Sequence, residues 1–349
     1  MRARYLKYGR IYDKIKIILQ HYYTTIHRNL QEGVTKMYDI FLNQTVNGEV
    51  ATVVDGLGDI DLTDTFECGQ AFRYELVRRE EGYVEYLTVT GDLIIRVGQR
   101  KRGELCFFSL NEKDLARALN YFRADVSFED IRRDVISRTD SVWLKEAADM
   151  AKGIVILRQD PWETIFSFIV SQNNNIPRIR KIIRALSLAY GENLAIKNKC
   201  EFCPLRGKGV TPCDEICNKC GVCYSFPTPE AVLADPTAME AARTGFRYKY
   251  LIDCAERVYR GEVNIENILT HASYEYTLEC LKVILGVGDK VASCAALFGF
   301  GNLEAFPIDV WMKRAIDTYF DGKLDPKELG PYAGVAQQYI FHRIRNYGE

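Results

Sequence analysis

The sequence predicts an α+β protein: an antiparallel, β-rich N-terminal domain over residues 46–155, followed by a larger all-α domain over 156–349. Three observations carry this. β-Branched and aromatic runs divided by turn residues recur between Ala51 and Leu110. From Asn111 onward the apolar residues fall at helical spacing instead. The chain has 349 residues, more than one core of ordinary size fills.

Taken in order, residues 1–45 form a basic, tyrosine-rich extension with Arg2, Arg4, Lys7, Arg10, Lys14, Lys16 and Arg28. It reads as a surface helix or a loosely ordered tail. Gln31-Glu32-Gly33 can be encoded by a purine-rich run shortly before Met37, which makes Met37 an alternative start. Strands follow at Ala71–Val77, Glu85–Thr90, Leu93–Val97 and Glu104–Leu110, with turns at Glu81-Gly82 and Gly91-Asp92. The short spacings call for antiparallel pairing. Asn111 caps a helix over 112–122, and Ser127 with Asp130 signals a second. Further helices are expected over 162–170, 176–190, 229–233, 238–243, 248–260, 274–285, 289–298, 309–319 and 333–345. There is no internal repeat and no low-complexity segment.

Composition excludes several classes. Hydrophobic residues make up 47% and charged residues 27%, which rules out a disordered tail protein or a collagen-like chain. The longest uncharged runs, Thr164 to Pro177 and Val291 to Leu303, are too short to cross a bilayer. The net charge of −1 does not announce a nucleic-acid binder, so any DNA site must be a local basic patch. Eleven cysteines with no secretory apolar segment point to a reducing compartment, read as the cytoplasm.

The segment Leu285-Gly-Val-Gly-Asp-Lys-Val-Ala292 reads as a tight hairpin between two helices. Gly286 and Gly288 allow positive φ and close approach of another backbone. The second helix offers unpaired N–H groups suited to phosphate. Nineteen residues after Lys290 stands Asp309, in Pro307-Ile-Asp-Val310, where a helix N-cap belongs. A desolvated lysine loses its proton more readily and can attack carbon to form a Schiff base. A carboxylate beside it can stabilise positive charge on a sugar.

These residues resemble the helix-hairpin-helix, Gly/Pro-rich loop, Asp superfamily of DNA glycosylases. Four more segments narrow the resemblance: Glu67-Cys-Gly-Gln-Ala-Phe-Arg73, Arg158 to Ile176, Thr244-Gly-Phe-Arg-Tyr-Lys-Tyr250 and Gly330-Pro-Tyr-Ala-Gly-Val-Ala-Gln337. Together they resemble the 8-oxoguanine DNA glycosylase/AP lyase family over roughly residues 55–349, apart from a cysteine-rich insert. The resemblance implies that Lys290 attacks the sugar C1′ and that Asp309 assists. It implies that the Gly69 carbonyl reads N7–H of 8-oxoguanine, that Phe341 and Cys294 sandwich the flipped base, and that Gln337 bonds its pairing edge. It further implies that Asn173 fills the vacated stack, that Arg178 and Arg247 bond the orphaned cytosine, and that Phe246 wedges beside it. Arg178, Arg180, Lys181 and Arg184 would supply the basic patch.

The partner is then damaged double-stranded DNA, met by a monomer at the bacterial nucleoid, with no membrane and no catalytic cofactor. Taken singly, each residue has a plainer account: turn glycine, core aromatic, small buried thiol. The ordered set is what favours the functional reading. The chain departs from eukaryotic members at Trp311, where they carry histidine, at Phe246, where they carry tyrosine, and at Leu285, where they carry proline. Two other readings stand beside this one: a glycosylase for alkylated purines, and a non-catalytic helix-hairpin-helix DNA-binding module.

The insert, 198–225, carries Cys200, Cys203, Cys213, Cys217, Cys220 and Cys223. Paired C-x2-C knuckles suit tetrahedral zinc, and the 213-217-220-223 run suits an iron–sulfur cluster. A structural metal in a subset of these thiols is expected.

Overall fold

In the computed structural model, residues 38–197, 222–271 and 273–348 are described. Six strands, β1 (Asp39–Val46), β2 (Glu49–Asp55), β3 (Tyr74–Glu80), β4 (Tyr83–Thr90), β5 (Leu93–Gln99) and β6 (Glu104–Phe108), form one sheet in the order β1-β2-β6-β5-β4-β3. The pairs β3–β4, β4–β5, β5–β6 and β2–β6 are antiparallel. Gly91 takes φ +57° in the turn that sets Thr90 opposite Leu93. The first strand begins at Asp39, inside the stretch expected to be an extension. It is an edge strand exposed from Asp39 to Thr45, so it shows none of the in–out alternation by which a strand is read from sequence.

The central strands lack alternation for a different reason: both faces are covered. Tyr86 packs with Phe66, Tyr74, Phe107 and Phe122 in a chain of aromatic contacts on one face. Each such pair contributes roughly 0.5–1.5 kcal/mol beyond its area. On the opposite face Leu87 and Val89 are covered by Leu194, Ala195, Val222 and Cys223, the two roots of the cysteine-rich insert. Ala71, Phe72 and Arg73 are buried but not yet strand. Arg73 is spent on Glu163 at 2.8 Å, and β3 starts only at Tyr74.

The helices are α1 (Leu62–Glu67), α2 (Glu112–Tyr121), α3 (Phe128–Ser137), α4 (Val142–Met150), α5 (Pro161–Ser171), α6 (Ile176–Tyr190), α7 (Leu194–Lys197), α8 (Pro229–Ala234), α9 (Ala238–Ala241), α10 (Tyr248–Arg260), α11 (Ile265–His271), α12 (Tyr274–Lys282), α13 (Asp289–Ala295), α14 (Val310–Tyr319) and α15 (Ala333–Tyr347). Asn111 and Ser127 cap α2 and α3 through their side chains, as the sequence suggests. α1, α4, α7 and α11 are absent from the sequence reading, although Asp61 and Ser141 cap the first two in the ordinary way. α15 is buried along most of its length. Ala336, Ile340 and Ile344 pack with Leu144, Phe306, Met312 and Leu329. Residues Ile40–Glu349 cluster as one unit, and the site lies wholly inside it.

Candidate active site and DNA-facing surface

The hairpin forms between α12 and α13. Gly286 takes φ +77°, and a Cβ there would come within 2.7 Å of the Tyr250 ring, so only glycine fits. Gly288 differs from the expectation of positive φ at both glycines. It sits at φ −103° as the N-cap of α13, with open space where a Cβ would go. An extended N-cap needs no left-handed backbone.

Lys290 follows in the first turn of α13. Its Nζ donates to Ser171 Oγ at 3.2 Å and lies 5.4 Å from the centre of the Phe168 ring. One turn on, Cys294 is buried, and burial pushes its thiol up to about 11; the Asp309 carboxylate adds to this and Lys290 opposes it. A neutral thiol is thus held next to the amine. Asp309 caps α14, its Oδ1 accepting from Met312 N–H at 2.8 Å. The cap fixes the carboxylate at the end of a helix rather than on a loose loop.

These groups share one cavity of about 330 Å³, at the lower end of the size range of ligand pockets. Lys290, Asp309, Gly69, Cys294, Gln337 and Phe341 all line it, so every residue expected at the base and sugar is brought together. Phe72 and Phe168, packed edge to face, add an aromatic wall. Gly69 has φ +90°, and a Cβ there would lie 3.1 Å from Ile176 Cδ1. Its turn is held from two sides. Arg345 Nη1 donates to the Glu67 carbonyl at 3.0 Å. The fully buried Gln70 donates to the carbonyls of Thr65 and Val155 and accepts from Leu157 N–H.

Gln70, Arg345, Ser171 and Gln338 were not singled out in the sequence. Gln70 had a signal, an amide inside the Glu67–Arg73 motif. Ser171 likewise falls inside the Arg158–Ile176 motif, whereas Arg345 and Gln338 are legible only through contacts made across the fold.

On the flank of the cavity, Asn173 stands exposed at φ +46° in the turn between α5 and α6. Arg247 is 2% exposed and lies beneath that turn, 4.5 Å from the Phe246 ring. Its Nε donates to the Gln172 carbonyl at 2.8 Å, its Nη2 to the Asn173 carbonyl at 2.8 Å, and its Nη1 to the Thr244 carbonyl at 3.2 Å. Burial, and the nearby Arg178, pull its guanidinium below the ordinary value. In the free protein Arg247 thus holds the Asn173 turn. Gln172 Nε2 donates to the Gly286 carbonyl at 2.9 Å and ties this turn to the hairpin.

Phe246 is 51% exposed and Arg178 is exposed. The basic patch is smaller than its sequence suggests. Arg180 turns back to the sheet, where it lies 4.2 Å over the Tyr74 ring and pairs with Glu75. Trp311 lines the cavity and is 41% exposed.

Cys200, Cys203, Cys213, Cys217 and Cys220 lie outside the described residues, and Cys223 is buried at one root of the insert. Among the described residues no three His, Cys, Asp or Glu side chains are grouped to hold a metal. No described helix is long and apolar enough to cross a membrane.

A glycine-bearing helical hairpin that presents a lysine to an aromatic-walled cavity, with a helix-capping aspartate lining the same cavity, defines a base-flipping helix-hairpin-helix DNA glycosylase. Residues 54–165 match the family described as 8-oxoguanine DNA glycosylase, N-terminal domain. The structure described as MBOgg1 in complex with a low-affinity DNA ligand is 32% identical, with a TM-score of 0.73, covering 89% of this chain and 99% of that one. The Clostridium acetobutylicum 8-oxoguanine glycosylase/lyase, solved with double-stranded DNA containing cytosine opposite 8-oxoguanine, is 29% identical. Its TM-score is also 0.73, over 90% of this chain and 100% of that one. The N-glycosylase/DNA lyase of Saccharomyces cerevisiae is 29% identical over 289 residues, 73% of this chain and 67% of its own. The chain belongs to the 8-oxoguanine DNA glycosylase family.

Proposed function

We propose that this chain excises 8-oxoguanine from duplex DNA and then cleaves the strand, as a bifunctional DNA glycosylase/AP lyase. The observation that carries the reading is the convergence of Lys290, Asp309, Gly69, Cys294, Gln337 and Phe341 on one cavity. Beside it, Asn173, Phe246 and Arg247 sit together, tied to the hairpin through Gln172. The base enters the cavity once flipped, because its glycosidic carbon is inaccessible in the stack. Gly69 offers its carbonyl to N7–H, Gln337 meets the pairing edge, and Phe341 and Cys294 supply apolar faces.

Lys290 Nζ attacks C1′, forming a C–N bond as the glycosidic bond breaks and the base leaves with a proton. Asp309 stabilises the positive charge on the sugar. Ring opening gives a protonated Schiff base, loss of a C2′ proton expels the 3′ phosphate, and water releases the amine. The chemistry needs no catalytic cofactor. In domain terms the β-rich part over 46–155 supplies Gly69, and the helical part over 156–349 supplies the remainder. The cysteine insert is read as a structural zinc or iron–sulfur site, and the protein as a cytoplasmic monomer acting on nucleoid DNA.

Borohydride trapping on a duplex carrying 8-oxoguanine opposite cytosine tests this. A covalent adduct is expected from the wild type and none from Lys290→Gln. Release of an alkylated purine in a parallel duplex, with 8-oxoguanine left in place, would refute the assignment of substrate. Binding without any excision would leave only a DNA-binding module.

A further inference from the structure

The hairpin turns over four residues, Ile284-Leu285-Gly286-Val287. Val287 N–H closes it on the Ile284 carbonyl at 3.0 Å, and φ is positive at its third residue alone, Gly286, the type II pattern. The closing bond leaves the N–H of the second residue unused. Proline is favoured at that second position, because its ring presets φ and it brings no N–H. Leucine does neither, so Leu285 has a freer backbone and a donor to satisfy.

That donor has a partner on another helix. Leu285 N–H donates to Asp253 Oδ2 at 2.7 Å, from 32 residues further along the chain. Asp253 lies on α10, and its side chain is 23% exposed. The same oxygen accepts from Arg257 Nε at 2.9 Å, one turn along α10, and Arg257 Nη1 donates to Glu262 at 2.9 Å. The carboxylate is therefore held in place, with its charge matched by a guanidinium. A hydrogen bond to an ionised acceptor is among the stronger kinds. α10 also supplies the Tyr250 ring against Gly286, and Gln172 holds the same turn at the Gly286 carbonyl.

We propose that Asp253 is a positioning residue for Lys290: by taking the Leu285 N–H it stiffens a turn that lacks proline, and so fixes the start of α13. Lys290 is the second residue of that helix, directly after the turn and the Gly288 cap. Asp253 acts through the backbone. The inference rests on the reading of Lys290 as the nucleophile.

The test is single-turnover borohydride trapping by the full-length protein, at saturating duplex carrying a preformed abasic site, with melting temperatures measured alongside. Asp253→Ala is expected to slow trapping about tenfold, the scale of one hydrogen bond to a charged acceptor. In a Leu285→Pro chain, which has no N–H to satisfy, the same substitution is expected to cost less than about twofold. Proline cannot restore the Arg257 pair, so this difference assigns the effect to the N–H. Asp253→Asn keeps an acceptor and is expected to stay within about threefold of wild type. An unchanged rate in Asp253→Ala, an equal loss with and without proline, or a loss in Asp253→Asn as large as in Asp253→Ala would overturn the assignment. A wild type that forms no adduct would instead refute the Schiff-base reading, and the role of Asp253 with it.

Discussion

Replacing Gly69 by alanine should separate the proposed base reading from the proposed sugar chemistry. Gly69 sits at φ +90°, where a side chain is strained whatever space surrounds it. A residue forced there costs about 1–3 kcal/mol. The added Cβ would lie 3.1 Å from Ile176 Cδ1 and 3.8 Å from Phe341 Cε1, so the cavity wall must give by a few tenths of an ångström. The strain relaxes by rotating the turn, and Arg345 on the Glu67 carbonyl and Gln70 beneath it resist that rotation. The Gly69 carbonyl is therefore displaced while Lys290 and Asp309, on α13 and α14, stay in place. A misplacement near 1 Å costs about a hundredfold in rate. Single-turnover excision of 8-oxoguanine should fall by that order. The melting temperature should drop by a few degrees, since ~1 kcal/mol shifts a domain of this size by about 2–4 °C. Strand cleavage at a preformed abasic site, which has no base to read, should remain within a few-fold of wild type. Equal loss on both substrates, or excision within threefold of wild type, would refute the reasoning.

Arg247→Ala strips donors from the Gln172, Asn173 and Thr244 carbonyls; it should lower stability by about 1–3 kcal/mol and weaken duplex binding, read by denaturation and by fluorescence anisotropy. Asp64 is pushed up to about 6 by burial and by the neighbouring Asp61, from an ordinary 3.8. The folded state therefore holds the proton more tightly than the unfolded chain. Its stabilising contribution is full below about pH 4 and is lost as pH rises through about 6. Asp64→Asn should flatten the dependence of the urea midpoint on pH across that window, and an unchanged slope would remove Asp64 as its source. Elemental analysis of the purified chain should find zinc or iron bound. Chelation should lower the melting temperature, because the insert's roots cover Leu87 and Val89, while abasic-site cleavage by the remaining folded protein persists.

The sequence alone picked out most of the residues of the proposed chemistry. Lys290, Asp309 and Gly286 declare themselves because lysine, aspartate and glycine each supply a property few other residues do, and because they stand close along the chain. The change from strand to helical spacing near Asn111 is also local, so it could be read directly. The tertiary structure decided what depends on distant neighbours. Arg247 reads as a DNA contact in its motif, and the fold adds what the motif does not show, that in the free protein it braces a turn about 75 residues away. Arg180 counts toward a basic patch by sequence, yet it spends its guanidinium on the sheet. β1 is an exposed edge strand whose pattern carries no in–out signal, and Asp253 looks like any helix aspartate until its carboxylate is found on the Leu285 N–H. Local propensity and chemical type are properties of a residue and its near neighbours. Burial, and the choice among hydrogen-bond partners, exist only once segments far apart in the chain have packed.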